Sequence, residues 1–240
     1  MVQLGNFLFH YRNMLFPVFY LFLFLPLEPL LFARYEWALW LGFAVAFTGQ
    51  AVRVATIGLK YIIRGGRHRR VYTEDLVTDG LFAHTRNPLY VGNVLILIGL
   101  GIMSNTLWFT VILSPLFLVF YQAIIRAEEN FLHNKFGEAF ERYCADTKRW
   151  LPKLKGLGQT LSSMEFNWNR VIIKEYTATF IWLSGAVLMV AKCYWWQQAI
   201  YTTLYLQWWI AGALTILLTL YLCTCYLKKS KKSELDGIRC

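Results

Sequence analysis

Six runs of mostly apolar residues, at 14–33, 37–58, 88–104, 107–125, 176–192 and 203–226, constrain this chain more than any other feature. Crossing roughly 30 Å of hydrocarbon takes about 20 such residues at about 1.5 Å of rise each. The chain therefore reads as all-α: a polytopic membrane helical bundle with about six transmembrane helices. Only 16% of its 240 residues are charged, against 57% hydrophobic and 18% aromatic, and the mean hydropathy is +0.41. Soluble domains carry about 25% charged residues, and disordered chains are poor in apolar and aromatic ones. Both classes are excluded. Pro17, Pro26 and Pro29 predict a kinked or broken first span. The third and fourth runs, joined by Ser104-Asn105-Thr106, predict a tight helical hairpin. No cleavable signal peptide is expected, because no compact basic region precedes a small-residue cleavage site. The cysteines (Cys144, Cys193, Cys223, Cys225, Cys240) form no C-x-x-C pair and no His/Cys cluster, so neither a disulfide framework nor a metal site is expected.

Orientation follows from the basic residues. With the N-terminus cytoplasmic and six spans, 21 of the 24 Lys and Arg fall on the cytoplasmic side. The far side receives only Arg34 and Lys192, and Arg53 lies within a span. Both termini are thus expected to be cytoplasmic. Trp195, Trp196, Trp208 and Trp209 mark the far end of the last hairpin as an aromatic belt. Two cytoplasmic segments, 59–87 and 126–175, are large enough to hold chemistry. The run Arg64-Gly65-Gly66-Arg67-His68-Arg69-Arg70 and the tail Lys228-Lys229-Ser230-Lys231-Lys232 read as anchors on anionic lipid rather than as nucleic-acid sites. Three regions are expected: N-terminal spans and basic loop at 1–75, a core at 76–152, and a C-terminal hairpin with basic tail at 153–240.

Two stretches could carry chemistry. In Gly80-Leu81-Phe82-Ala83-His84-Thr85-Arg86-Asn87-Pro88-Leu89-Tyr90-Val91-Gly92-Asn93, Asn87 suits an N-cap and Pro88 the first helical position. The third span then begins at the cytoplasmic surface with unpaired N–H groups, where a small anion could bind. Gly92, one turn in, permits close approach of a ligand or of another helix. The second stretch is Arg126-Ala127-Glu128-Glu129-Asn130-Phe131-Leu132, at the exit of the fourth span. An antiparallel return brings Glu128 and Glu129 opposite Asn87 and Tyr90. Leu132, Phe136, Ala139, Phe140 and Tyr143 recur at helical spacing and predict an amphipathic lid that ends before Lys148-Arg149-Trp150-Leu151-Pro152.

In order and spacing, Arg86-Asn87-Pro88-Leu89-Tyr90-Val91-Gly92, then Glu128-Glu129 with Leu132, Phe136, Gly137 and Tyr143, then Arg149-Trp150-Leu151-Pro152 resemble the isoprenylcysteine carboxyl methyltransferase and phospholipid methyltransferase superfamily. The likeness covers residues 76–152, about a third of the chain. One departure is Asn87, where the family pattern often has His. Asn keeps hydrogen-bonding capacity but cannot shuttle a proton, so this position is assigned to binding. The resemblance implies an integral-membrane methyltransferase using S-adenosyl-L-methionine. It also implies cofactor contacts from Gly80, Leu81, Phe82, Asn87, Pro88, Leu89, Tyr90, Gly92, Glu128, Glu129 and Leu132. No P-loop and no strand-borne G-x-G-x-x-G is present, so such a cofactor must bind outside a Rossmann scaffold.

The expected reaction is in-line displacement at the methyl carbon, with a lipidic acceptor arriving from the bilayer. A carboxylate acceptor, as in a prenylcysteine, needs a cationic anchor, for which Arg149 is the candidate. A phospholipid amine needs a base, for which Glu129 is the candidate. Arg149 also reads as an interface anchor beside Trp150. His68, His84 and His133 read as bases or as surface histidines. Arg53 reads as a head-group contact or as half of an interhelical pair. Two other functions stay open: an NADPH-dependent membrane reductase of the sterol type, and a non-catalytic membrane scaffold.

Overall fold

The computed structural model describes residues 1–25, 28–60, 75–196 and 203–237. The basic run 64–70, the side chain of Trp196 and the tail side chains from Ser230 onward lie outside the described residues. Among the described residues there are eight α-helices and no strand. They are α1 (Val2–Leu21), α2 (Tyr35–Leu59), α3 (Pro88–Met103), α4 (Ser114–Phe136), α5 (Glu138–Asp146), α6 (Leu157–Ser163), α7 (Trp168–Trp196) and α8 (Thr203–Gly237). Among the described residues, five apolar stretches are long enough to cross a membrane: Val2–Phe24, Tyr35–Leu59, Phe109–Phe136, Trp168–Trp195 and Tyr205–Lys229. The chain is a multi-pass helical membrane protein. The remaining expected span is α3, with only 16 residues. At about 1.5 Å per residue it reaches about 24 Å, short of the hydrocarbon thickness.

The first span departs from expectation. The run 14–33 predicts a start after Arg12, whereas the helix starts at Val2 and a 3-10 turn closes it at Phe24. Tertiary contact explains the shift. Gly5 lies against the backbone of Ala123 and the side chain of Ala127, and Leu8 and Phe9 bury against Ala123 and Ile124 of α4. This packing draws the polar stretch around Arg12 into the helix, where the guanidinium sits 4.2 Å above the Phe9 ring. A long arginine stem tolerates such a position because its head can reach toward the membrane surface.

The most extensive helix contact joins α2 to α3. A Cβ placed on Gly99 would come within 2.5 Å of the Ala46 nitrogen and the Gly42 oxygen, and one on Gly49 within 2.6 Å of the Gly92 oxygen. Small residues here let two backbones meet where lipid offers no hydrophobic drive for helix pairing. Leu97, Leu100, Met103, Phe109 and Phe117 fill the core around this seam, with Trp182, Ala186 and Met189 contributed by α7. The last helix, α8, lies outside the core and exposes Tyr205, Trp208, Trp209, Ile216 and Leu220.

The hairpin turn between α3 and α4 is closed by polar groups. Asn105, with φ of 53°, occupies the left-handed region that Asn tolerates better than most residues. Its side chain accepts from Phe32 N and donates to Phe32 O. Lys192 of α7 donates to Leu23 O, Ser104 O and Thr106 Oγ1, so the carbonyls at this end of α3 are satisfied inside the protein. A π turn, Phe109–Leu113, then leads into α4, where Pro115 can donate no backbone hydrogen bond. Gly99→Leu forces α2 and α3 apart and is expected to cost about 1–3 kcal/mol in detergent-solubilised unfolding. Gly212→Leu on α8, where a new side chain meets nothing within 4 Å, is expected to leave the midpoint unchanged.

Candidate active site

At the N-terminal end of α3 the chain gathers charged and polar side chains from five segments. The 3-10 turn Gly80–Ala83 leads in. Gly80 has φ of 63°, and a Cβ there would lie 3.2 Å from Lys60 Cβ. The preceding Asp79 accepts from Lys60 Nζ at 2.7 Å, which ties this turn to the end of α2. Phe82 is fully buried, and its carbonyl accepts from Tyr143 of α5 at 2.7 Å.

Residues 84–87 then run beside 148–153. Arg86 N donates to Lys148 O at 3.0 Å, and Lys153 N to His84 O at 2.9 Å. Thr85 Oγ1 donates to Arg149 O at 3.2 Å. The buried His84 ring sits 2.5 Å from Lys153 O through Nδ1 and 2.8 Å from Thr160 Oγ1 through Nε2. Both nitrogens bond to the scaffold, so His84 is buried rather than the surface histidine expected. His133 is an exposed partner of Glu141 at 2.7 Å, and His68 lies outside the described residues.

Asn87 begins α3 as expected, but it makes no side-chain cap. Its Nδ2 donates to Arg149 O at 3.3 Å instead. The cap expectation fails because the adjacent strap, not the helix, takes the amide. Pro88 occupies the first turn, and Leu89 is half-buried. Tyr90 OH donates to Glu128 Oε1 at 2.7 Å, which joins α3 to α4 at the level the sequence anticipated. The next carboxylate, Glu129, receives Arg149 bidentately, with Nε at 3.0 and 3.1 Å and Nη2 at 2.5 Å. That bond outweighs the desolvation of Arg149 and raises its pKa further above the usual range, so the guanidinium stays charged. Arg86 Nε lies 3.4 Å from Glu129 Oε1 yet is buried without a hydrogen-bond partner. Two guanidiniums therefore flank one carboxylate.

Of the three remaining expectations, only the single lid helix lands differently. Gly92 faces α2, and a Cβ there would lie 2.5 Å from Arg53 Cγ and 2.7 Å from Gly49 O. Leu132 is buried at 4% exposure on α4. The single lid helix divides at Gly137, whose φ of 50° and ψ of −125° suit glycine and end α4. Leu132 and Phe136 thus belong to the long span, whereas Phe140 and Tyr143 belong to the short amphipathic α5. Sequence reasoning missed Arg86 as a second guanidinium. It also missed Glu175, which pairs with Arg53 inside the bundle. An acidic residue one position ahead of an apolar run was the available signal for Glu175. Among the described residues no group of three His, Cys, Asp or Glu side chains could hold a metal ion.

The fold and this mouth define a polytopic membrane protein with a cluster of polar and charged side chains where a short helix begins. The profile of the phospholipid methyltransferase family matches residues 37–139. The chain is 31% identical over 191 residues to the cobalt-zinc-cadmium resistance protein CzcN of Cupriavidus metallidurans, covering 78% of this chain and 83% of that protein. It is 33% identical over 116 residues to the nickel-cobalt-cadmium resistance protein NccN of Alcaligenes xylosoxydans xylosoxydans, covering 48% of this chain and 53% of that one. It is also 34% identical over 68 residues to the protein-S-isoprenylcysteine O-methyltransferase of Schizosaccharomyces pombe, covering 28% and 29% of the two chains. No solved structure matches it. The chain belongs to the phospholipid methyltransferase family. It is an integral-membrane methyltransferase.

Two predictions test the wiring of this site. Arg149→Ala leaves Glu129, whose side chain is 12% exposed, with only Arg86 at 3.4 Å, and is expected to destabilise the fold by about 1–3 kcal/mol. In a double-mutant cycle with Glu129→Gln, unfolding should show positive coupling, and additive losses would mean that the pair contributes nothing. The Lys60 contact holds the Asp79 carboxyl below the usual carboxylate range. The folded chain therefore binds that proton more weakly than the unfolded one, so the contribution is present at neutral pH and fades as pH falls through the folded value. Because both groups are about half exposed, Asp79→Asn should cost at most about 1 kcal/mol, and the difference from the unaltered chain should vanish in acid.

Proposed function

We propose that this chain transfers a methyl group from S-adenosyl-L-methionine to a lipidic acceptor at the mouth formed by α3, α4 and the 147–153 strap. The observation that carries this reading is the junction of Tyr90 with Glu128, 2.7 Å apart, beside the Glu129–Arg149 pair. Residues far apart in sequence, each implied by the family resemblance, meet there. Supporting it is family membership, since methyl transfer in this family implies that donor in general.

The residues present suit the donor. Its carboxylate matches the start of α3 and the buried Arg86 Nε that lacks an acceptor. Its amino and ribose groups match Glu128 and Glu129, with Asn87, Pro88, Leu89, Tyr90 and the Gly80–Phe82 backbone as the remaining wall. When bound, the cofactor supplies an electrophilic methyl on a sulfonium. The chain's own work is alignment and exclusion of water. Tyr90 anchors Glu128, Arg149 anchors Glu129, and α5 with Tyr143 closes over the Phe82 carbonyl. A carboxylate acceptor would draw Arg149 from Glu129. An amine acceptor would need Glu129 to release a guanidinium proton contact before it could take a proton.

The acceptor enters from the bilayer between spans, and the cofactor arrives from the cytoplasm. This requires both termini to be cytoplasmic, as the distribution of basic residues implies. The reacting parts then fall within 76–152, between the N-terminal spans of 1–75 and the C-terminal hairpin of 153–240.

The test incubates purified protein with methyl-labelled S-adenosyl-L-methionine and total membrane lipid. Label should enter a lipid-soluble product, base-labile if an ester and base-stable if an amine. Tyr90→Phe removes the hydroxyl that donates to Glu128 and should weaken cofactor binding by about 1–2 kcal/mol. Preference for NADPH in equilibrium binding would replace this reading with the reductase. Unchanged affinity in both Tyr90→Phe and Glu129→Ala would leave only a scaffold.

A further inference from the structure

Below the mouth, an ionic cross-link ties three helices together. Arg53 lies in α2, Asn93 in α3 and Glu175 in α7. Arg53 Nε donates to Glu175 Oε2 at 2.8 Å, and Nη2 donates to Oε1 at 2.6 Å. Its third nitrogen, Nη1, donates to Asn93 Oδ1. The Arg53 and Glu175 side chains are only 13% and 3% exposed. Each of the three residues sits about 8–10 Å along its helix from the mouth end, at about 1.5 Å per residue. Ionisable groups at such a depth are costly unless paired, and they mark working positions more often than passive ones.

The geometry limits what this cross-link does. A second rung lies one turn deeper, where Gln50 Nε2 donates to Thr179 Oγ1 at 2.9 Å. Two rungs, at Arg53–Glu175 and Gln50–Thr179, leave α2 one register on α7. Arg53 then acts on α3 in two ways. Its stem fills the space that a side chain at position 92 would take, and its head holds Asn93. Tyr90 and Asn93, three residues apart, are neighbours on α3, and Asn87 immediately precedes the same first turn. Fixing Asn93 therefore fixes how Tyr90 meets Glu128 and how Asn87 meets the strap.

We infer that Arg53, held by Glu175, is a positioning residue for methyl transfer that sets the first two turns of α3 through Gly92 and Asn93. The inference rests on the proposed function and extends it to α7, which lies outside the span matched by the family profile. The span α7 thereby acquires a part in the site: it holds the charge that orients α3.

The experiment uses the full chain in detergent and reads affinity for S-adenosyl-L-methionine per folded molecule, kcat, KM for the lipid acceptor, and Tm. Asn93→Ala cuts the link to α3 and leaves the ion pair intact. Cofactor Kd is expected to rise at least fivefold, with Tm near that of the unaltered chain. Asn93→Asp keeps an acceptor for Arg53 and should restore Kd to within twofold. Glu175→Gln removes the charge that holds Arg53 and should reproduce the rise in Kd together with a lower Tm. If Glu175→Gln does not fold, the two Asn93 variants decide. Lowered Tm with unchanged Kd and kcat across the series would make the cross-link purely structural and overturn the inference. Failure of the unaltered chain to bind the cofactor at all would instead overturn the proposed function, and this inference with it.

Discussion

Sixteen residues are too few to carry α3 across a bilayer, and much of the molecule is organised around that shortfall. A helix of about 24 Å leaves its ends below the level that its neighbours reach. Lipid cannot satisfy exposed backbone groups, so protein must. At one end the work is done by Asn105, by the 29–32 segment and by Lys192, which donates to three oxygens from α7. At the other end the first turn of α3 has no side-chain cap. Polar side chains gather there instead, from 84–87, 147–153 and the exit of α4. The candidate chemistry sits where the short helix starts.

The packing of α3 follows from the same constraint. A short helix held on one face by α2 must approach it closely, and Gly42, Ala46, Gly49, Gly92 and Gly99 permit this. The Gly92 position thus serves helix contact, one of the two roles that its place in the motif allowed. Arg53 uses the same gap, so one glycine admits both a backbone and a guanidinium stem. Ion pairs divide the remaining labour. Glu129–Arg149 binds the strap to α4 at the mouth, and Arg53–Glu175 binds α2 to α7 beneath it.

Hydropathy and charge alone established the membrane class, the helical architecture and the rough locations of the long spans other than the first, because those properties depend on composition within a window. The hairpin of α3 and α4 was legible from two apolar runs and a short polar turn. So was the meeting of Tyr90 with Glu128, since an antiparallel return leaves those positions little choice. The start of α1 was not legible, because Gly5, Leu8 and Phe9 become helical through contact with α4 rather than through their own hydropathy. Gly137 was equally silent: its neighbours keep helical spacing, and only its backbone angles divide the expected lid.

What the sequence by itself determined is therefore local: apolar length, basic asymmetry, and two motif stretches within reach of one opening. Tertiary structure decided the pairings. That Arg149 takes Glu129, that Asn87 serves the strap instead of the helix cap, and that Glu175 answers Arg53 across 122 positions are choices among many charged and polar candidates. Each depends on helix rotation and depth, which packing sets and which no single stretch of chain encodes.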